Sequence, residues 1–273
     1  MSEVEWRQAD GCARLVLNRP ERKNAIDTAT WSQLQERLAA VANDPDVRAL
    51  VITGAGANFS AGADISGGAP SHRTQLERME WFNQVILALH RLPIPTVAQV
   101  DGVAFGVGMN LAIGCDFVIA SDRARFSEIF VKRALSVDGG GSWILPRLVG
   151  VRRAKLLCLL AETISAEEAL DFGLVTKVVP SFDLETEVEH LVERLVASPR
   201  LALVQTKRLI DEAMSLTLEQ AMQNEARAQA INVASDDFAE AVAGFRSATA
   251  SNGEASATAG ANTTFDVTGE NDG

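Results

Sequence analysis

Two glycine-rich segments are the parts of this sequence whose composition could support catalysis. The first runs from Asn58 to Ile65 with the sequence NFSAGADI, and the second runs from Asp101 to Asn110 with the sequence DGVAFGVGMN. Each follows a short apolar run, as expected for a turn between a strand and a helix. Glycine lets the backbone turn tightly, and the first N–H groups of a helix have no intrahelical acceptor. Two such turns can direct two N–H groups at one oxygen, which stabilises an enolate or a tetrahedral oxyanion.

The elements that must hold these turns alternate between strand and helix. A single Gly-rich turn is more often ordinary loop geometry, so its surroundings decide its meaning. Between the first two predicted strands, apolar residues recur at helical spacing at Trp31, Leu34, Leu38 and Val41. The alternation predicts an α/β core. Apolar runs rich in β-branched residues place its strands at Cys12–Leu17, Val47–Thr53, Thr96–Val100, Phe117–Ala120 and Val175–Val179.

The last third of the chain follows a different pattern. From Pro199 onward, apolar residues recur at helical spacing and strand signals are absent. Helices added to an α/β core with surplus apolar surface often form oligomer contacts. After Arg246 the sequence contains no further Lys or Arg and few large apolar residues, a composition that predicts disorder. We therefore expect residues 1–198 to form the α/β core with the site, 199–246 a helical oligomerisation region, and 247–273 a disordered tail.

Composition and charge exclude several classes of protein. A net charge of −11 and a pI near 4.8 argue against a nucleic-acid surface, which needs a basic patch. The sequence lacks the roughly 20-residue apolar run of a membrane span. Cys12, Cys115 and Cys158 are scattered among apolar residues, so neither a disulfide framework nor a metal site is expected. The first ten residues lack the basic and apolar regions of a secretory signal. These features together predict a cytoplasmic protein.

Five motifs in a fixed order carry a resemblance to a known family. They are NRPERKNA at 18–25, FSAGADI at 59–65, VDGVAFGVG at 100–108, CD at 115–116 and DGGGS at 138–142. Together they closely resemble the crotonase superfamily, the enoyl-CoA hydratases and isomerases, from about Ala13 to Phe245. The resemblance implies a spiral of ββα units with two roughly perpendicular sheets and C-terminal helices that form trimers or pairs of trimers. It also implies an acyl-CoA thioester substrate, with coenzyme A as part of the substrate and no separate cofactor.

The resemblance assigns roles to individual positions. The oxyanion donors correspond to the backbone N–H groups of Ala63 and Val107. Arg22 or Lys23 could meet the CoA phosphates, although a solvated charged turn is an equally good interpretation of each. Asp64 and Asp116 match positions that are usually structural, so capping or ion pairing is expected of them. The positions expected near the substrate are Arg22, Lys23, Ala25, Ala61, Gly62, Asp64, Ile65, Gly106, Asn110, Phe130 and Trp143.

The positions of the carboxylates decide which reaction is predicted. Hydratases of this family use two glutamates, and the matching positions here hold Asn110 and Phe130. Neither side chain can move a proton in their place. Asp138 instead matches the acid of double-bond isomerases, in which one carboxylate removes a proton and returns it elsewhere. Its alternative role is to cap the helix that begins near Ser142.

Two other functions stay open beside the isomerase. Glu128 could supply the acid of a hydratase or another lyase, but it lies two residues out of register, and a surface or rim position is expected for it. The chain could also be a non-catalytic acyl-CoA binder, since one fold serves several functions. A dehalogenase is disfavoured because Asn83 and Phe130 stand where its histidine and tryptophan would be.

Overall fold

The structure of the protein is a computed structural model that describes residues 2–66 and 74–245. The chain divides into two compact units, residues 1–208 and a second unit that begins at Leu209. This division falls later than the predicted boundary after residue 198. The predicted disordered tail, 247–273, lies outside the described residues.

The strands form two sheets. The larger has the order β1-β2-β3-β4-β6-β9, and the smaller has the order β5-β7-β8. Within the larger sheet, β1 pairs antiparallel with β2 and every other pairing is parallel. The strands are β1 (Val4–Ala9), β2 (Cys12–Leu17), β3 (Ala49–Gly54), β4 (Thr96–Val100), β5 (Val103–Phe105), β6 (Phe117–Ser121), β7 (Arg125–Ser127), β8 (Ile164–Ser165) and β9 (Lys177–Val179).

The helices connect these strands and follow them. Gly150 interrupts α4, because its φ of 77° and ψ of 157° are not helical. Short 3-10 turns occupy Pro20–Arg22 and Ile129–Arg133, and a further helical segment covers residues 236–245. The α-helices are α1 (Thr28–Asn43), α2 (Gln75–His90), α3 (Val107–Ile113), α4 (Gly141–Leu160), α5 (Ala166–Phe172), α6 (Leu184–Ala197), α7 (Arg200–Ala213) and α8 (Leu218–Val233).

The core lies on both faces of the larger sheet. Alternate residues of β3 point to opposite sides, so Leu50 and Ile52 join the main cluster while Val51 joins a second. The main cluster includes all four apolar residues that predicted α1, and that helix begins where the Asp27 side chain accepts a hydrogen bond from the Thr30 N–H at 2.8 Å. Helix α6 covers the second cluster with Val188, Val192 and Leu195. The strands that carry the site are therefore fixed from both sides.

Most of the predicted elements are confirmed. Strands β2 and β4 have the predicted bounds, whereas β3 and β9 begin two residues later than predicted. The sequence analysis did not predict β1, β5, β7 or β8. None of the described helices is long and apolar enough to cross a membrane.

Candidate functional site

The first glycine-rich turn leaves the N–H of Ala63 free to meet a ligand. Ala63 forms a parallel bridge with Ile26, in which the Ile26 N–H donates to the Gly62 oxygen at 2.8 Å. The Asp64 N–H donates back to the Ile26 oxygen at 2.9 Å. Because a bridge of this kind uses the groups on either side of its central residue, the Ala63 N–H points away from Ile26.

The second glycine-rich turn exposes the N–H of Val107 in the same way. Gly106 is the N-cap of α3 and has φ 53° and ψ −127°, so Val107 is the first helical residue and its N–H has no intrahelical acceptor. The Gly106 N–H donates to the Ser127 oxygen at 2.8 Å, which ties this turn to β7. The Val107 side chain is buried.

The two turns are in direct contact. The Phe105 N–H donates to the Ser60 oxygen, and the Ser60 N–H donates to the Val103 oxygen, both at 2.9 Å. A Cβ atom on Gly62, whose φ is +93°, would lie 2.6 Å from the Phe105 oxygen. A Cβ atom on Gly108 would lie 2.8 Å from Ser60. Side chains at these two glycines would separate the turns, so glycine is required at both for the approach seen here.

A cavity of about 400 Å³ opens beside both turns. Ala63 and Val107 line it, and so do Asp138 and Gly139 from the segment before α4. A Cβ atom on Gly139 would lie 3.0 Å from Cγ2 of Val107, so this segment packs against the start of α3. The three predicted catalytic positions thus face one cavity.

Helices α1 and α2 supply the aromatic wall of the cavity. Trp31 and Phe82 stack with ring centroids 5.0 Å apart, and both line it. Ile86 extends the apolar wall, whereas Arg78 and Asn83 add polar groups. The wall suits an apolar acyl group that carries or adjoins a polar function.

Asp138 is half-buried and has an unusual titration. Burial raises its pKa from 3.8 to about 6, and its Oδ1 atom has no hydrogen-bond partner among the described residues. Helix α4 begins at Gly141 with Gly140 as N-cap and no side-chain cap. The alternative role of Asp138 as a helix cap is therefore not observed. A carboxyl group with a raised pKa at a cavity is a candidate general base.

Glu128 corrects one expectation from the sequence. Its side chain is fully buried, at 0% exposure, and does not occupy a surface or rim position. The Asn110 amide nitrogen donates to Glu128 Oε2 at 3.4 Å and to the Asp138 main-chain oxygen at 2.9 Å. Burial and, to a smaller extent, the Asp138 charge raise the pKa of Glu128 to about 8, although the hydrogen bond from Asn110 lowers it. Flanking Phe126 and Phe130, both buried, were the signal that Glu128 also points inward.

Two other predicted positions lie away from the cavity lining. Trp143 is 43% exposed, and its ring lies 3.9 Å below the Arg147 guanidinium and edge-on to His90 at 5.7 Å. Phe130 is buried, and its ring lies 3.5 Å from where a Gly106 Cβ would be. The structure therefore does not bring either ring to the cavity.

The predicted CoA-binding positions lie on the segment 22–25 and on the first turn, which are hydrogen-bonded to each other. Arg22 and Lys23 are exposed, and the Lys23 oxygen accepts from the Ala61 N–H at 2.8 Å. The Arg19 guanidinium donates to the Ala25 oxygen at 2.6 Å and also pairs with Asp64, which joins this segment to the first turn. Ile65 is exposed and lines the cavity.

Ion pairs fix the two aspartates that were expected to be structural. Asp64 pairs with Arg19 at 2.9 Å, and hydrogen bonds from Ser66 followed by Arg19 lower the pKa of Asp64 to about 2. Asp116 pairs with Lys207 at 2.7 Å. Within residues 2–66 and 74–245, no cluster of His, Cys, Asp or Glu could hold a metal ion.

Comparison with known proteins identifies the family. The sequence profile of the enoyl-CoA hydratase/isomerase family matches residues 7–250, and the chain belongs to this family. It is 37% identical to the 1,2-epoxyphenylacetyl-CoA isomerase of Escherichia coli over 86% of this chain and 92% of the relative. It is 35% identical to the crotonyl-CoA hydratase of Syntrophomonas wolfei, over 85% and 90% of the two chains. A crystal structure from Thermobifida fusca, described as an enoyl-CoA hydratase in complex with CoA, superposes with a TM-score of 0.81 at 33% identity, covering 85% and 93%.

Proposed function

We propose that the protein is an enoyl-CoA isomerase that moves a double bond into conjugation with the thioester of an acyl-CoA. The observation that carries this proposal is the convergence of Asp138, Ala63 and Val107 on one cavity. A base and two N–H donors are what an enolate mechanism requires. The CoA-bound relative and the exposed side chains of Arg22 and Lys23 support a CoA thioester as the substrate.

The reaction follows from these groups. The N–H groups of Ala63 and Val107 bind the thioester oxygen, and the Asp138 carboxylate removes a proton from C2 of a 3-enoyl-CoA. The electron pair of that C–H bond delocalises onto the oxygen, giving a dienolate. Asp138, now a carboxylic acid, returns the proton to C4, and the electrons that move back form the C2–C3 double bond. Each N–H donor typically contributes about 3 kcal/mol to the transition state.

A hydratase is the competing function, because one of the relatives bears that name. Water addition needs one group to activate water and another to deliver a proton. Asn110 and Phe130 provide neither, and Glu128 is not among the residues that line the cavity. Asp138 alone would have to serve both steps, which favours the isomerase.

The deciding experiment supplies a 3-enoyl-CoA and, separately, a 2-enoyl-CoA in deuterated water, with products followed by mass spectrometry. Isomer from the first substrate without hydration of the second supports the proposal. Prompt 3-hydroxyacyl-CoA formation from the second contradicts it.

The Asp138→Asn variant tests the assigned base. We expect its turnover to fall by about 10²- to 10⁴-fold, because an amide cannot accept the proton. Asp183→Asn makes the same chemical change at an exposed residue and should keep full turnover. Full turnover in Asp138→Asn would remove Asp138 from the mechanism.

A further inference from the structure

Glu128 is a buried carboxyl group that the proposed reaction does not use. It follows β7 directly and is the N-cap residue of the Ile129–Arg133 turn, with 0% of its surface exposed. It is absent from the cavity lining, so it does not meet substrate there. A fully buried carboxyl group costs free energy unless it is neutral or paired. The burial of Glu128 therefore needs an explanation.

One amide group links Glu128 to the base. The Asn110 amide nitrogen lies 2.9 Å from the Asp138 oxygen and 3.4 Å from Glu128 Oε2, so it bridges the two residues. The amide has little room to move, because a Cβ on Gly141 would lie 2.7 Å from its nitrogen and 2.8 Å from its oxygen. A Cβ on Gly139 would lie 3.3 Å from Cβ of Asn110. The turn that carries Asp138 therefore packs around this amide.

The charges around Glu128 favour its neutral form. Among the described residues, the titratable groups that act on Glu128 or respond to it are Asp138 and Cys158, and neither is a cation. Burial, followed by the nearby Glu128 carboxyl group, raises the pKa of Cys158 to about 11. Glu128 Oε1, Asn110 Oδ1 and Asp138 Oδ1 are all buried without a hydrogen-bond partner in the described part of the chain. The Asn110 amide nitrogen joins the three residues, and a carboxylic acid at Glu128 supplies a proton that buried acceptors of this kind require.

We propose that Glu128 is a positioning residue for the isomerisation: its neutral carboxyl group holds the Asn110 amide against the main chain of Asp138 and so fixes the direction of the base. This inference rests on the proposed function for its kinetic consequences. The predicted neutral state of Glu128 does not depend on any activity. With Glu128 neutral, Asp138 carries the only negative charge of the pair at neutral pH.

Substitutions of similar size separate this role from simple packing. Glu128→Gln retains a neutral acceptor and should keep kcat close to that of the unaltered protein. Glu128→Met fills the space without an acceptor, and we expect kcat to fall by about ten- to a hundredfold at unchanged KM, because the base loses its alignment. Full kcat in Glu128→Met would reduce Glu128 to a space filler. Loss of activity in Glu128→Gln would make it a proton donor in the reaction. Either result overturns the proposal.

The pH profile tests the charge state. If Glu128 is neutral, the acid limb of kcat/KM lies at the same pH in the unaltered protein and in Glu128→Gln. If Glu128 were ionised, its charge would raise the pKa of Asp138, and removing that charge would move the limb to lower pH. A shift to lower pH therefore overturns the proposal.

Urea denaturation tests protonation without any substrate. The folded-state pKa of Glu128 is about 8, above the ordinary 4.5, so the unfolded chain releases this proton first. The stability of the unaltered protein should then fall, relative to Glu128→Gln, as pH rises from about 5 to about 8. Exposed Glu193→Gln, the matched control, should show a constant difference. A constant difference for Glu128→Gln as well would overturn the proposal. A protein without isomerase activity would refute the proposed function and leave this measurement intact.

Discussion

Replacing Gly62 with alanine should slow the proposed reaction as well as weaken the fold. A Cβ there would lie 2.6 Å from the Phe105 oxygen, and real Cβ atoms essentially never approach closer than 3.0 Å. The two turns must therefore move apart by several tenths of an ångström. Ala63 follows Gly62 directly and Val107 lies two residues after Phe105, so the movement changes the angle between the two N–H donors.

The magnitude follows from two separate costs. An alanine held at the φ of +93° seen at Gly62 costs about 1–3 kcal/mol of folding stability. Misalignment of one oxyanion donor costs about 3 kcal/mol in the transition state, which is a loss of about 10²- to 10³-fold in kcat. KM should change little, because Arg22 and Lys23, the proposed CoA contacts, are not altered.

The assay compares Gly62→Ala with Gly56→Ala. Gly56 also has a positive φ, +71°, but a Cβ there would meet nothing closer than Pro20 at 3.5 Å. Both variants should lose stability in urea denaturation, and only Gly62→Ala should lose kcat on the enoyl-CoA substrate. Equal retention of kcat in both would refute the reasoning that the contact between the turns aligns the donors.

Three further predictions concern charges. Lys207→Met should lower the free energy of unfolding by about 2–3 kcal/mol, because the side chains of Lys207 and Asp116 are only 12% and 24% exposed. Lys177→Met should cost under about 1 kcal/mol, because the side chains of Lys177 and Glu187 are 51% and 28% exposed. Urea denaturation compares the two variants, and equal losses of stability would contradict this prediction. The pKa of Asp64 is about 2 in the folded protein, against 3.8 when unperturbed, so its carboxylate stabilises the fold above about pH 4. This stabilisation is lost as pH falls through about 2. The loss of stability that Asp64→Asn shows at pH 7 should therefore vanish near pH 2. Burial raises the pKa of Asp138 to about 6, and the proposed mechanism requires its carboxylate form. We therefore expect kcat/KM to rise with pH and level off above about pH 7, and a flat profile from pH 5 to 8 would contradict the proposed role of Asp138 as the base.

The sequence predicted the elements whose residues follow a single hydrophobic pattern along their whole length. Every residue of β4 is buried and apolar or hydrogen-bonded, so the run from Thr96 to Val100 reads plainly as a strand. Strand β1 was missed because Glu5, Arg7 and Gln8 occupy an edge strand whose pattern is half polar. Strands β5, β7 and β8 span two or three residues each, too short for a period of two to be recognised.

The parts of the candidate site that lie within recognisable motifs were predicted from the sequence. The positions of Ala63, Val107 and Asp138 came from their motifs, and the structure places all three on one cavity. Glu128 was expected at the surface or the rim because it lies two residues out of register with the acid of the family's hydratases. Its burial depends on where β7 ends and on how Phe126 and Phe130 pack. Both depend on contacts between residues that are far apart in the chain. Trp143 faces Arg147 because of its angular position on α4, which begins only after the glycine run.

The parallel pairing of the larger sheet also governs when the site can exist during folding. Cys12 pairs with Ala49 and Leu50 pairs with Thr96, so each contact closes a long loop before it contributes any stability. Helices form in microseconds or less, whereas sheets built from distant segments form slowly. Ser60 and Ala104, which bridge the two turns, lie a few residues beyond β3 and β4, so the pairing of these strands brings the turns together. A folding intermediate rich in helix would therefore lack the contact between the two glycine-rich turns, and we expect function to recover only at the end of folding.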